Sequence, residues 1–176
     1  MRKVINFKSV VIMIATVLSM GMVSCKPNPE EEPDPKPTRT TRAVRYEVIL
    51  SEDILNLYDV KAITKVGEEI SETPIVDPAW FFSATFGEDY PSKVSCEITA
   101  TAKEPLPEIK GETTTIFIYK YSEAKINYID GTETNIEPSF IGTSNYETMT
   151  ISSDKTAEYV AQRPVLKIMN VEYTLK

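Results

Sequence analysis

Histidine is absent from the chain. That removes the commonest general base and the commonest zinc ligand. Ser-His-Asp and Cys-His nucleophile systems are excluded with it. Cysteine is nearly absent too, with only Cys25 and Cys96. There is no CxxC, no HExxH and no phosphate-binding loop, so the common redox, zinc-protease and nucleotide motifs are missing. No uncharged apolar run reaches the ~20 residues of a membrane-spanning helix. The longest such stretch, Ser9 to Ser24, is 16 residues.

What is present begins at the N-terminus. Arg2, Lys3 and Lys8 form a basic start, and a mostly apolar run follows to Met22. A basic n-region, an apolar h-region and a small residue before a cleavage site make a secretory signal. The stretch Met22-Val23-Ser24-Cys25 resembles the bacterial lipobox, with Met22 where leucine is usual. The resemblance is to the signal-peptidase-II lipoproteins. It implies that residues 1–24 are a signal peptide and that Cys25 takes a diacylglyceryl group on sulfur. Cleavage would free an amine that is acylated in its turn, with chains of the palmitate kind. Two acyl chains anchor a protein stably where one holds it only marginally. The alternatives are an ordinary signal with a chance cysteine, or an uncleaved anchor.

Without residues 1–24 the chain carries 16 basic and 26 acidic residues, a net charge of −10. That sign argues against nucleic acid and anionic headgroups as partners. With Cys25 acylated, Cys96 has no disulfide partner, and the fold must rest on its core. Residues 25–42 continue as a tether, with five prolines and no large apolar residue, expected to be extended and without a core. Glu30, Glu31, Glu32 and Asp34 cluster shortly after Cys25. In the small surface lipoproteins of the Bacteroidota, a similar acidic cluster resembles a signal for export to the outer leaflet. The implied location is the outer membrane, facing the cell exterior. The plainer alternative is a solvated linker.

Residues 43–176 read as one all-β domain. Val44, Tyr46, Val48 and Leu50 alternate with polar residues, the period of a half-buried strand. A helical turn follows at Ser51–Leu55, with Ser51 as its expected cap. Further strands are expected over 59–66, 70–76, 79–86, 93–101, 113–122 and 146–151. Residues 125–136 read as a hairpin turning at Asp130-Gly131. Ser153–Arg163 is the one helix candidate of useful length, capped by Ser153 and stopped by Pro164. The last strand, 165–175, changes phase, and a bulge near Met169 and Asn170 accounts for that. Nothing alternates as βαβ. The expected fold is an antiparallel two-sheet, Ig-like β-sandwich with one short helix near the C-terminus.

Within this domain Phe117, Tyr119 and Tyr121 share one strand face, opposite Ile116 and Ile118. Rigid aromatics on an open sheet face stack on sugar rings or anchor a protein partner. The competing reading is a central strand covered on both faces, or a helix packed on the stripe. Trp80, with Phe81 and Phe82 beside it, is a second aromatic candidate for the binding face, with core the commoner place for such a tryptophan. Asp130, Glu133, Asn135 and Glu137 offer oxygens to a calcium ion, though their spacing fits no calcium loop. Cys96 falls on the apolar parity of its strand and reads as an inert buried thiol. Arg39 and Arg42 resemble a trypsin-type processing site, as in pilin precursors of the same bacteria.

These features point to a lipid-anchored, non-enzymatic binding or accessory protein acting on a glycan, a surface protein or an envelope assembly, with no cofactor, no metal and no catalytic residue. The alternatives are a histidine-free hydrolase built on a carboxylate pair, and a pilus-type assembly subunit.

Overall fold

A computed structural model describes residues 40–128, 133–136 and 144–176. Cys25, the Glu30–Glu32 and Asp34 cluster, Arg39 and the Asp130-Gly131 turn lie outside the described residues.

The element order is β1 (Thr40–Leu50), α1 (Glu52–Leu57), β2 (Tyr58–Val66), β3 (Glu69–Ile75), β4 (Ala79–Phe86), β5 (Lys93–Ala102), β6 (Thr113–Tyr128), β7 (Glu133–Asn135), β8 (Asn145–Ser152), α2 (Ser153–Gln162) and β9 (Val165–Thr174). One sheet runs β4-β1-β6-β7, with β8 also paired to β6; the other runs β3-β2-β5-β9. Every pairing is antiparallel. The expected two-sheet sandwich is therefore the fold.

Six strands keep the neighbour order of an immunoglobulin domain. β4-β1 corresponds to E-B, and β3-β2-β5-β9 to C′-C-F-G. The place of strand A beside B is taken by β6, which comes between the F and G equivalents in the chain. No described strand stands for D.

Alternation places the core. Val44, Tyr46, Val48 and Leu50 from β1 meet Val94, Cys96, Ile98 and Ala100 from β5, all buried. Burying each such apolar side chain contributes about 1.5–3 kcal/mol. Tyr46 is also inside, and its hydroxyl donates to the Val94 carbonyl at 3.1 Å. A buried hydroxyl needs such a partner, because an unmatched one costs about 1–3 kcal/mol.

Several local expectations are corrected. β1 starts at Thr40, so Thr40–Arg42 belong to the sheet rather than to the tether. β6 is one strand of 16 residues where a strand and a separate hairpin arm were expected. Its pairing with β7 sets Asn127 opposite Glu133, one residue away from the register a two-residue loop at Asp130-Gly131 would impose.

The caps differ as well. Ser51 precedes α1 without a side-chain capping bond. Its Oγ instead donates to the Thr115 carbonyl at 2.6 Å and accepts the Phe117 N–H at 3.2 Å. Ser152, not Ser153, is the N-cap residue of α2, and Ser153 Oγ donates to the Gly111 carbonyl at 2.6 Å.

The phase change in β9 is real, but it sits earlier than Met169–Asn170. Ile98 faces Met169 and Thr99 faces Lys167, so Ile168 is the extra residue. Ile168 and Met169 are both buried in succession as a result.

Candidate functional site

β6 carries two unlike faces. Ile116 and Ile118 point into the sandwich and are buried. Phe117, Tyr119 and Tyr121 point the other way and are half-buried. α2 does not pack on them. It meets β6 on the inner side, where Thr156 and Thr114 share a buried hydroxyl contact of 2.9 Å.

Strand register extends the stripe sideways. Ala79, Ile49, Tyr119 and Tyr146 form one row across β4, β1, β6 and β8. Phe81, Glu47 and Tyr121 form the next. Phe117 stands opposite Thr148. Strands lie about 4.8 Å apart and alternate residues about 6.7 Å apart, so these rings tile a nearly flat surface. Phe81 is 70% exposed and Tyr146 68% exposed, which makes the two flanks the most open part of it.

Polar groups edge the aromatic patch. Arg45 Nη2 lies 2.7 Å from Glu47 Oε2. The Tyr121 hydroxyl donates to Glu123, and the Arg45 guanidinium sits 5.8 Å from the Tyr121 ring centroid. The hydrogen bond to Glu123, with burial second, pushes the Tyr121 phenol up to about 12. The ring is thus held in place as a neutral donor. Lys125 adds a cation 3.7 Å from Glu123. A surface of this kind can stack on an apolar ring face and hydrogen-bond to hydroxyls around its rim.

Trp80 does not join this patch. It pairs with Val48, on the inward parity, and packs half-buried against the core. Its neighbour Phe81 takes the outward position. Ile49 and Tyr146 were not singled out from the sequence, and Phe81 only as a companion of Trp80. Only the strand order β4-β1-β6-β8 brings them beside Tyr119 and Tyr121, and that order has no local signal.

Cys96 is fully buried, and burial pushes its thiol up to about 12. Arg42 lies in β1 between Phe86 and Ile126, its guanidinium stacked 3.6 Å over the Tyr90 ring. Such a paired strand is not the open linker that a processing protease needs.

A cleft of about 510 Å³ is lined by Asp53, Asn56, Lys103, Glu108 and Lys110 among others. Two of its polar groups are tied to the fold. Asp53 accepts the Thr115 N–H at 2.6 Å, and Lys103 Nζ donates to the Leu55 carbonyl at 2.7 Å. Among the described residues, no three His, Cys, Asp or Glu side chains gather as a metal site. Of the calcium candidates, Glu133 and Asn135 fall in β7, while Asp130 and Glu137 lie outside the described residues. No described helix is long and apolar enough to cross a membrane.

No family model, no curated protein and no solved structure matches the chain.

Proposed function

We propose that the protein is a lipid-anchored lipoprotein of the cell surface whose sandwich domain binds glycan without catalysing a reaction. Cys25 carries the lipid, and the acidic run Glu30–Glu32 with Asp34 directs the domain outward. The observation that supports binding is the outward face of the β4-β1-β6-β8 sheet, where Phe117, Tyr119, Tyr121, Phe81 and Tyr146 lie together with polar neighbours. Soluble proteins rarely leave a contiguous aromatic patch in water without a use.

A glycan fits this face better than a protein partner does. Protein hot spots sit in well-packed pockets, whereas this patch is flat and interleaved with Arg45, Glu47 and Glu123. Sugar rings have one apolar face and a rim of hydroxyls, which match aromatic planes and charged hydrogen-bonding groups respectively. A carboxylate-pair hydrolase draws less support, because Asp53 of the 510 Å³ cleft is engaged with a backbone N–H.

The test is a polysaccharide panel in native affinity electrophoresis. The wild-type protein should be retarded by at least one glycan. Phe81→Ala and Tyr119→Ala should each abolish the retardation while the fold is kept. No retardation on any glycan, together with a protein captured through the same residues, would turn the reading toward a protein partner.

A further inference from the structure

The second surface feature is an edge. Among the described residues β4 has a strand on one side only, β1. An edge strand shows unpaired N–H and C=O groups, and proteins usually guard such edges with charge or proline. The other described edges each carry charge: β7 has Glu133 and β8 has Glu147. β3 carries Glu69, Glu72 and Pro74, and β9 carries Lys167, Glu172 and the Ile168 bulge. β4 reads Ala-Trp-Phe-Phe-Ser-Ala-Thr-Phe, without a charge or a proline.

Its hydrogen-bonding direction is fixed by one contact. The Pro78 carbonyl accepts the Leu50 N–H at 2.7 Å. Because direction alternates along an antiparallel strand, Trp80, Phe82, Ala84 and Phe86 turn their backbone groups to β1. Ala79, Phe81, Ser83 and Thr85 turn theirs to the open side.

We propose that β4 pairs with β4 of a second copy of this chain, antiparallel about a twofold axis at Phe82, joining two sheets into one. Directly opposite residues must share a sheet face and turn their open backbone groups to one another. The register that pairs all four open-side residues sets Phe81 against Ser83 and Ala79 against Thr85. On the inner face the same register sets Trp80 against Ala84 and Phe82 against its own copy. Phe81 then faces Ser83 and Trp80 faces Ala84, large against small, while the two Phe82 rings meet on the axis. Charge selects this strand as well. The part of the chain after residue 24 carries −10, so two copies repel at most approaches. β4 itself has no charge to set against its copy, while β3 against β3 would oppose acids. Pairing also covers aromatic surface on both faces of the strand, since Phe81 is exposed and Trp80, Phe82 and Phe86 are only half-buried. This dimer does not depend on the glycan reading.

The test uses the full-length protein in the membrane. Phe81→Cys and Ser83→Cys are both outward, exposed positions, and Cys96 is buried, so background thiol chemistry is low. Cells expressing the two variants together should give a disulfide-linked dimer under mild oxidation, and cells expressing either alone should give several-fold less. In detergent the wild-type protein should have the mass of two chains. Ser83→Pro should reduce it to one, because the Ser83 N–H faces the open side and β1 loses no bond. A wild-type monomer, or cross-linking as strong in the single variants as in the mixture, overturns the proposal. If Ser83→Pro fails to fold, the cysteine pair still decides.

Discussion

Tyr46 and Tyr173 stack across the sandwich, ring centroids 5.9 Å apart and planes 13° apart. Each comes from one sheet and bonds to the other. The Tyr46 hydroxyl in β1 donates to the Val94 carbonyl in β5 at 3.1 Å. The Tyr173 hydroxyl in β9 donates to Ser122 Oγ in β6 at 2.9 Å. The two phenols therefore act as reciprocal cross-braces in a domain that has a free cysteine and no described disulfide. Tyr46→Ala is expected to cost ~3–5 kcal/mol, as aromatic truncation in a core does. Tyr46→Phe keeps the ring and removes only the hydroxyl's bond to the Val94 carbonyl, at a cost of about 1 kcal/mol. Denaturant unfolding of the two variants measures both, and equal costs would contradict the division between packing and hydrogen bonding.

Alkali should unfold the protein. Burial raises the pKa of Tyr46 and of Tyr173 above the ordinary phenol value of 10.0, and that of Tyr58 to about 12. Burial likewise lifts Cys96 from 9.0 to about 12. The unfolded chain releases these protons at the ordinary values, while the native chain keeps them. The stability they contribute is therefore full below about pH 9 and is lost as pH climbs from there through the folded values. Thermal melting across pH 7 to 12 should show a flat region and then a steep fall above about pH 10. A midpoint unchanged at pH 11 would contradict the burial of these phenols.

Cys96 should behave as a small core residue. Cys96→Ala is expected to cost roughly 1 kcal/mol or somewhat more from lost packing. The native thiol, fully buried, should resist iodoacetamide until the protein is denatured. Rapid labelling of the native protein would place Cys96 elsewhere.

The anchor has its own test. Cys25→Ser should leave the precursor unprocessed and without lipid, and mass spectrometry of the membrane-extracted wild type should find acyl chains on Cys25. Replacing Glu30, Glu31, Glu32 and Asp34 by alanine should keep the lipid but protect the domain from protease added to intact cells. Equal shaving of mutant and wild type would remove the export role.

Period-two alternation was enough to read the strands and the inward parity of Tyr46, Cys96 and Ile116, because one face of each strand is in the core. It also separated Phe117, Tyr119 and Tyr121 from the core face. It could not read what lies beside them. Phe81 and Tyr146 reach that face through pairings 34 and 27 residues away in sequence, Glu47 with Phe81 and Tyr119 with Tyr146. Such pairings depend on strand order, which no local pattern encodes. Trp80 illustrates the limit: its strand was legible, but the face it takes follows from its pairing with Val48. The caps misled for a related reason. Ser51 and Ser153 have cap chemistry, but β6 and the Gly111 carbonyl compete for their hydroxyls.

The central claim is that the outward aromatic face of β6 and its neighbours is a contact surface rather than structural packing. The most direct measurement pairs stability with binding for Tyr119→Ala and Tyr121→Ala. Both rings are half-buried on the outward parity of β6, so each change should cost about 1 kcal/mol, well short of the ~3–5 kcal/mol of a core aromatic. Each should also weaken retardation by a glycan that binds the wild type by at least tenfold. Losses of core size in both variants, or full glycan binding retained in both, would contradict the account.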